Sequence, residues 1–541
     1  MQKPPLNLGM KYVQYKAFRI GEKAAWSAIQ SSTFSSGRRS FAVMASRTYD
    51  DAVDALNTLQ TDFRVLQERR EAGIRPDETS IVEMRGWFQR IGYEDQSSRQ
   101  KLTELEINDL DRLNIVHVAG TKGKGTTCAY VDSILSHYHR SRGIPKKTGL
   151  FTSPHLVSVR ERIRINSEPI SSKLFAKYFF EVWDLLESSA RTLSLDPKDK
   201  PVYFRYLTLM SFHVFLREGV DAAVYEVGVG GAFDATNMIE GPAATGISAL
   251  GIDHVYELGD TVDKIAWHKA GIMKTGSPAF TVKQVPDAAV ALEKRAHEKG
   301  ADLKVVDVNP ALKNVKVMPD AEFQRTNASL AIALASKVLQ KLDGSSLLPG
   351  DSLPREFVDG LEQVVWRGRC EIKVEGNIRW YLDGAHTEDS LRVAAEWFGV
   401  QSSQEPGTRV LIFNQQGRAS AVTLLEGLFR ALELQGLVNF DHVVFCTNVT
   451  YAQTGYKKDF VNHTYDAKVI AGLTVQKSFA EKWTSLDPSA KVSVAPSIEQ
   501  ALDYVKNLAK AHDEDHVQAF ITGSLHLVGG ALGVLEGADA L

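Results

Sequence analysis

Cysteine is scarce: Cys128, Cys370 and Cys446 are all that 541 residues hold, and no two of them approach CxxC spacing. That excludes a thiolate zinc site of the usual spacing and a disulfide framework, and it fits a reducing compartment. Long hydrophobic runs are lacking too. No stretch of about 18 apolar residues occurs, so no membrane span is expected. Nor is there an excess of charge of one sign, since 63 basic residues stand against 66 acidic ones, for a net charge of −3 and a pI near 6.6. A nucleic-acid partner is therefore not expected.

What is present is the composition of a soluble globular protein, 44% hydrophobic and 24% charged. At on the order of 100–200 residues per domain, this length predicts two or three domains. Acids are nearly missing from the beginning. Residues 1–43 carry seven basic side chains (Lys3, Lys11, Lys16, Arg19, Lys23, Arg38, Arg39) against Glu22, with serines at 31, 32, 35, 36 and 40. Taking 7 and 1 from 63 and 66 leaves 56 basic and 65 acidic residues, a net of −9, in the remainder. Such a segment reads as a mitochondrial transit peptide, with a basic tail of no address function as the open alternative. Met44 then offers a second start, giving a matrix form and a cytoplasmic form. From Tyr49 to Arg70, apolar positions 53, 56, 59, 63 and 66 recur at helical spacing and predict one surface helix.

The chemistry begins at Leu113–Thr127, LNIVHVAGTKGKGTT. A short apolar strand, Ile115 to Val118, runs into a glycine-rich loop and then into a helix. Gly120, Gly123 and Gly125 let backbone N–H groups close on an anion, and the helix after them presents its positive end. This predicts a phosphate site in which Lys124 is the phosphate lysine and Thr126 places its hydroxyl near a metal. The spacing departs from the Walker pattern, because two residues separate Gly120 from Gly123 and Gly125 intervenes before Thr126. Beyond the loop, Thr152, Ser153 and His155 flank Pro154 at the end of an apolar run, where polar side chains face the crevice of a parallel sheet. Glu226 sits in a buried strand, Ala222 to Val227, and needs a cation there. A third strand, TGISALGIDH, is predicted to end at Asp253 and His254.

AGTKGKGTT resembles the loop of the Mur-ligase superfamily and, within it, the folylpolyglutamate synthases. TSPHL, EVGVGGAFDATN, WRGRC and WYLDGAHTEDS are similar to further motifs of that family, across roughly residue 45 to the end. Thr387-Glu388 after DGAH, where bacterial relatives continue Asn-Pro, points with ITGSLHLVGG to the eukaryotic branch. The resemblance implies ATP contacts from Gly120, Thr121, Lys122, Gly123, Lys124, Gly125, Thr126, Asn327, Arg369 and Asp383. It implies a Mg²⁺ site at Ser153, Glu226 and His254, and a monovalent cation such as K⁺. Lys269 matches a lysine that can be carbamylated, with an ordinary lysine near phosphate as the alternative; Lys124, Lys269 and His386 form the expected catalytic set.

The expected fold is α/β, an N-terminal P-loop ATPase domain with a central, mostly parallel sheet followed by a Rossmann-like C-terminal α/β domain. KLDGSSLLPGDSLPRE, residues 341–356, has linker composition. Boundaries are accordingly expected at 44–345 for the ATP-binding domain, 346–356 for the linker and 357–541 for the second domain. The implied activity joins L-glutamate to the γ-carboxyl of a reduced folate with ATP converted to ADP and phosphate, in an enzyme expected to be a monomer. A dihydrofolate synthase and a P-loop regulatory or kinase module are the open alternatives.

Overall fold

The computed structural model describes residues 47–93, 109–319, 321–344, 352–403, 406–416, 421–436, 440–461, 467–511 and 516–541. The expected transit peptide, Met44 and residues 346–351 of the expected linker lie outside them. From Thr48 onward the chain forms one compact body built on two sheets.

The strands of the first sheet are β1 (Val116–Ala119), β2 (Thr148–Phe151), β3 (Ile163–Ile165), β4 (Glu168–Pro169), β5 (Ala222–Glu226), β6 (Ala244–Ile247), β7 (Ala279–Val282) and β8 (Leu303–Val306). They lie in the order β4-β3-β2-β5-β1-β6-β7-β8. From β2 to β8 all neighbours are parallel, and β3 and β4 add an antiparallel edge. Strands buried on both faces read as continuous apolar runs, which is why β1 and β5 were visible in the sequence. The chain moves from β1 to one side for β2 and β5, then to the other for β6. The phosphate loop therefore leaves the sheet at its switch point, where open α/β sheets bind ligands.

The second sheet contains β9 (Glu371–Glu375), β10 (Ile378–Leu382), β11 (Thr408–Phe413), β12 (His442–Cys446), β13 (Lys491–Ala495) and β14 (Val517–Thr522), in the order β13-β12-β11-β14-β10-β9. Only β9 runs antiparallel to its neighbour among these described strands. This is the expected Rossmann-like layer.

Three expectations need correction. The helix foreseen over residues 49–70 is two helices, Tyr49–Asn57 and Phe63–Glu71. Thr58 turns its hydroxyl to the Ala55 carbonyl, Tyr203 N–H takes the Leu59 carbonyl, and Asp62 caps a new helix through Arg64 N–H. Residues 355–362, placed by composition at the end of the linker and the start of the second domain, form a helix buried against the helix that follows the phosphate loop. Gly360 allows that approach, since a Cβ there would stand 2.8 Å from Ile134 Cα. The crossing to the second sheet thus begins after Glu362. Finally, β6 ends at Ile247, so His254 lies in a loop seven residues later rather than at a strand end.

Candidate active site

The phosphate loop is held by what it packs against. Gly120 (φ +149°) and Gly123 (φ +80°) adopt conformations that side chains disfavour, and a Cβ on them would stand 1.9 Å from Ser248 Oγ and 2.2 Å from Asn327 Oδ1. The amides of Thr121 and Lys122 both donate to the Ala249 carbonyl at 3.0 Å. Thr121 Oγ1 donates to Gly251 O, and Ser248 Oγ to Lys122 O. The helix Lys124–Arg142 begins inside the loop, and its first helical bond is Thr127 N–H to Gly123 O at 2.8 Å. The amides of Lys124, Gly125 and Thr126 are thus the first-turn donors that no helical carbonyl takes, which is an anion site. Thr126 is buried in that turn, and Asn327, in the first turn of the helix Gln324–Asp343, closes the loop from the other side.

Four predicted residues gather around the Lys124 charge. Glu226 is buried, and its Oε2 accepts the Ser153 N–H at 2.8 Å. Burial pushes its carboxyl up, while Lys124, the Ser153 amide and Arg369 oppose the rise. His254 caps the short helix Val255–Leu258 in a left-handed conformation, its partly exposed imidazole 3.8 Å from the Asp253 carboxylate; partial desolvation lowers its pKa, Asp253 opposes the fall and Lys124 adds to it. Lys269 ends the helix Val262–Lys269 and is buried, donating from Nζ to Gly120 O at 2.7 Å. Burial first, and then Lys124, bring its pKa down to about 7. Lys122 points away from this group and pairs with Asp389 of the second domain.

Among the described residues no three His, Cys, Asp or Glu side chains form a ready metal cage. Ser153, Glu226 and His254 offer one hydroxyl, one carboxylate and one imidazole. That set suits Mg²⁺, which keeps several waters and takes substrate phosphates as ligands rather than needing an all-protein shell. The buried Glu226 carboxylate, whose protonation burial favours, is where a cation would be most stabilising.

The second domain contributes through its antiparallel edge. Register between β9 and β10 sets Glu371 opposite Leu382, so Arg369, before one strand, meets Asp383, after the other. Asp383 is buried; its Oδ2 accepts from Cys370 N at 2.8 Å and its Oδ1 from Ala385 N at 2.9 Å. Burial raises the Asp383 pKa and Arg369 opposes the rise. A Cβ on Gly384 would stand 2.5 Å from Arg369 Nη1, so that glycine gives the guanidinium its room. The same guanidinium favours the ionised form of Glu226, linking the two domains electrostatically. His386 turns Nδ1 to the Gly384 carbonyl at 3.2 Å, and its own carbonyl accepts from Gln415 Nε2 at 3.1 Å.

Sequence reasoning missed a buried amide cluster beside His386. Asn414 Nδ2 donates to Asn448 Oδ1 at 2.9 Å, and Gln476 Nε2 donates to Asn414 Oδ1 at 2.9 Å. The signal was the abrupt change from apolar strand to amides at FNQQ and CTN, directly after β11 and β12. Also missed was His117, buried in β1, whose Nε2 meets Thr236 Oγ1 at 2.8 Å. Thr236 Oγ1 in turn donates to Asp234 Oδ1 at 2.6 Å.

A phosphate loop at the switch point of one α/β domain, facing an arginine and aspartate presented by a second, defines a two-domain nucleotide-dependent ligase of the Mur-ligase-like class. Residues 368–534 match the family described as dihydrofolate synthetase, C-terminal domain. A folylpolyglutamate synthase of Neurospora crassa is 60% identical over 504 residues, covering 92% of this chain and 93% of its own. One from Saccharomyces cerevisiae is 44% identical, covering 92% and 88%. The Mycobacterium tuberculosis folylpolyglutamate synthase solved with ADP and AMPPCP superposes with a TM-score of 0.62 at 25% identity, covering 88% of this chain and 99% of that one. The chain belongs to the folylpolyglutamate synthase family, and it is an ADP-forming ligase.

Proposed function

We propose that this enzyme extends the poly-γ-glutamyl tail of a reduced folate. The terminal γ-carboxylate attacks the γ-phosphorus of ATP, giving an acyl phosphate and ADP. The amine of L-glutamate then attacks the acyl carbon, the C–N bond forms, and phosphate leaves with the bonding pair of the C–O bond. The observation that carries this reading is geometric: a Cβ on Gly125, in the turn whose amides no helical carbonyl takes, would stand 3.4 Å from Glu226 Oε1, so the positive end of the loop faces that buried carboxylate, with the charges of Lys124 and Arg369 favouring its ionised form. Charge placed around the phosphates in that way is the chief means by which phosphoryl transfer is accelerated. The folate and glutamate parts come from the curated relatives.

In this scheme the loop from Gly120 to Thr126 cradles the phosphates, Lys124 and Arg369 spread the transferring charge, and Asn327 and Asp383 complete the nucleotide site. Ser153, Glu226 and His254 would hold Mg²⁺, which would supply positive charge to the transferring phosphates, and a monovalent cation such as K⁺ would assist. Lys269, with its lowered pKa, is able to be neutral near pH 7 and so to take up CO₂ as a carbamate. His386, whose carbonyl accepts from Gln415 Nε2, stands beside the amide cluster and completes the catalytic set with Lys124 and Lys269. The enzyme acts as a monomer. Its leader, residues 1–43, directs part of the protein to the mitochondrial matrix while chains begun at Met44 stay in the cytoplasm. No helix among the described residues is long and apolar enough to cross a membrane.

The name of the matched C-terminal family favours a second reading, in which the acceptor is dihydropteroate. Purified enzyme given labelled glutamate, ATP and either a tetrahydrofolyl glutamate or dihydropteroate separates the two. Label transferred to the folate supports the proposal; transfer to dihydropteroate alone, or ADP formed without need of glutamate, overturns it. Tagged full-length and Met44-initiated proteins, followed by cell fractionation, test the address: full-length protein confined to the cytoplasm refutes it.

A further inference from the structure

We propose that Asp459, on the second domain, is a positioning residue for the Thr152–Ser158 loop that carries Ser153. This rests on the reading of Ser153 as part of the metal and nucleotide site. The Asp459 carboxylate is buried, and its Oδ1 accepts the Val159 N–H at 2.8 Å and the Tyr49 hydroxyl at 2.5 Å. That hydroxyl also lies 2.7 Å from Ser158 Oγ. The main-chain oxygen of Asp459 accepts from His155 Nε2 at 2.9 Å, while His155 Nδ1 accepts from Arg162 Nε at 3.0 Å, which defines the tautomer. Residues 155 and 159 are thus tied directly to one aspartate from the other domain, and Ser158 is tied to it through Tyr49.

The loop is braced from within. Glu161 gathers the amides of Leu156, Val157 and Ser158 on its carboxylate at 2.8, 3.1 and 2.8 Å, holding that stretch between the ties to Asp459 and the Ser153 N–H on Glu226. Tyr49 adds a third anchor. Its helix, Tyr49–Asn57, is fastened to the same stretch by Asn57 Nδ2 on the Lys458 carbonyl at 3.0 Å and by Lys458 Nζ on Asp54 at 2.7 Å. Seating the second domain therefore sets the height of Ser153 at the phosphate site, and Asp459 transmits it.

The test compares full-length Asp459→Ala, Asp459→Asn, Tyr49→Phe and Ser153→Ala in titrations of Mg²⁺, ATP and glutamate, with melting temperatures alongside. Losing hydrogen bonds to a charged acceptor should raise the half-saturating Mg²⁺ of Asp459→Ala about tenfold, with the glutamate KM changed by less than about twofold. Tyr49→Phe should shift Mg²⁺ in the same direction by less, and Asp459→Asn, which keeps an oxygen for both donors, should behave nearly as the wild type. If Asp459→Ala fails to fold, Tyr49→Phe decides by the same titration. Mg²⁺ curves that overlay the wild type, or a lowered melting temperature with all three titrations unmoved, overturn the positioning role. Ser153→Ala discriminates the premise: an unmoved Mg²⁺ titration there overturns the metal reading and this proposal together, whereas a shift there with none in Asp459→Ala overturns only the proposal.

Discussion

Lys269 donates from Nζ to the carbonyl oxygen of Gly120, 2.7 Å away, so a buried amine braces the first turn of the phosphate loop. The arrangement has a sign that can be measured. The folded pKa of Lys269, about 7, lies below the unfolded value of about 10.4, and between the two the unfolded chain binds more protons. Stability therefore rises with pH across about pH 7 to 10, while below pH 7 the penalty of the buried charge is fully present. Lys274, largely shielded and also brought down to about 7 by desolvation, contributes with the same sign. The melting temperature of the nucleotide-free protein should climb with pH in that window, and less steeply in Lys269→Met. Parallel slopes would mean that Lys269 keeps its proton in the folded chain as it does in the unfolded one, its burial offset by neighbouring groups.

Lys124 has another task. If its charge acts at the transferring phosphoryl group, Lys124→Ala should lower turnover about a hundredfold or more, on the scale of removing one oxyanion donor. The assay is kcat at saturating ATP, and a value near wild type defeats the phosphate-lysine assignment.

Glu226→Gln keeps the shape of a side chain buried in β5 and removes its charge. Because burial already disfavours the ionised carboxyl, the melting temperature should not fall. The Mg²⁺ requirement should rise strongly, since the only carboxylate in the ligand set is gone. Superimposable Mg²⁺ titrations of the variant and wild type would remove Glu226 from the metal site.

Gly123→Ala tests the loop's shape. A methyl group at φ +80° costs about 1–2 kcal/mol and must displace Asn327, which lies 2.2 Å from where it would be. Both the melting temperature and the apparent ATP affinity should fall. Unchanged ATP affinity by calorimetry would show that Asn327 does not shape the nucleotide site.

The legible parts of this site were local ones. The glycines of the phosphate loop, the apolar runs of β1 and β5, and the carboxylate in β5 announce themselves within a few residues. The position of His254 did not, because ISALGIDH continues the apolar letters of β6 although the Thr121 and Lys122 amides take the Ala249 carbonyl and bend the chain away. The helix at Arg355–Glu362 was hidden by the linker composition before it, and only its packing on Ile134 reveals its allegiance. Asp459 and the amides at Asn414, Asn448 and Gln476 were invisible for a different reason. Each acquires meaning from a partner distant in the chain, as when Tyr49 meets Asp459, and neither spacing nor periodicity encodes such a meeting.

The order of strands in the first sheet also governs when this enzyme is born. β1 is made early, yet Val116 pairs with Val224 on one side and Ala244 on the other, and the carbonyls that hold the loop belong to Ala249 and Gly251. While the chain emerges from a ribosome, the phosphate loop is therefore an exposed, unanchored segment until that whole stretch has followed it, the slow and vulnerable regime of nonlocal topologies. Nascent chains arrested before Ala249 should not retain a nucleotide analogue, whereas chains released through Glu362, whose helix closes that face of the sheet, should. Retention by the shorter chains would show the loop forming without its anchors.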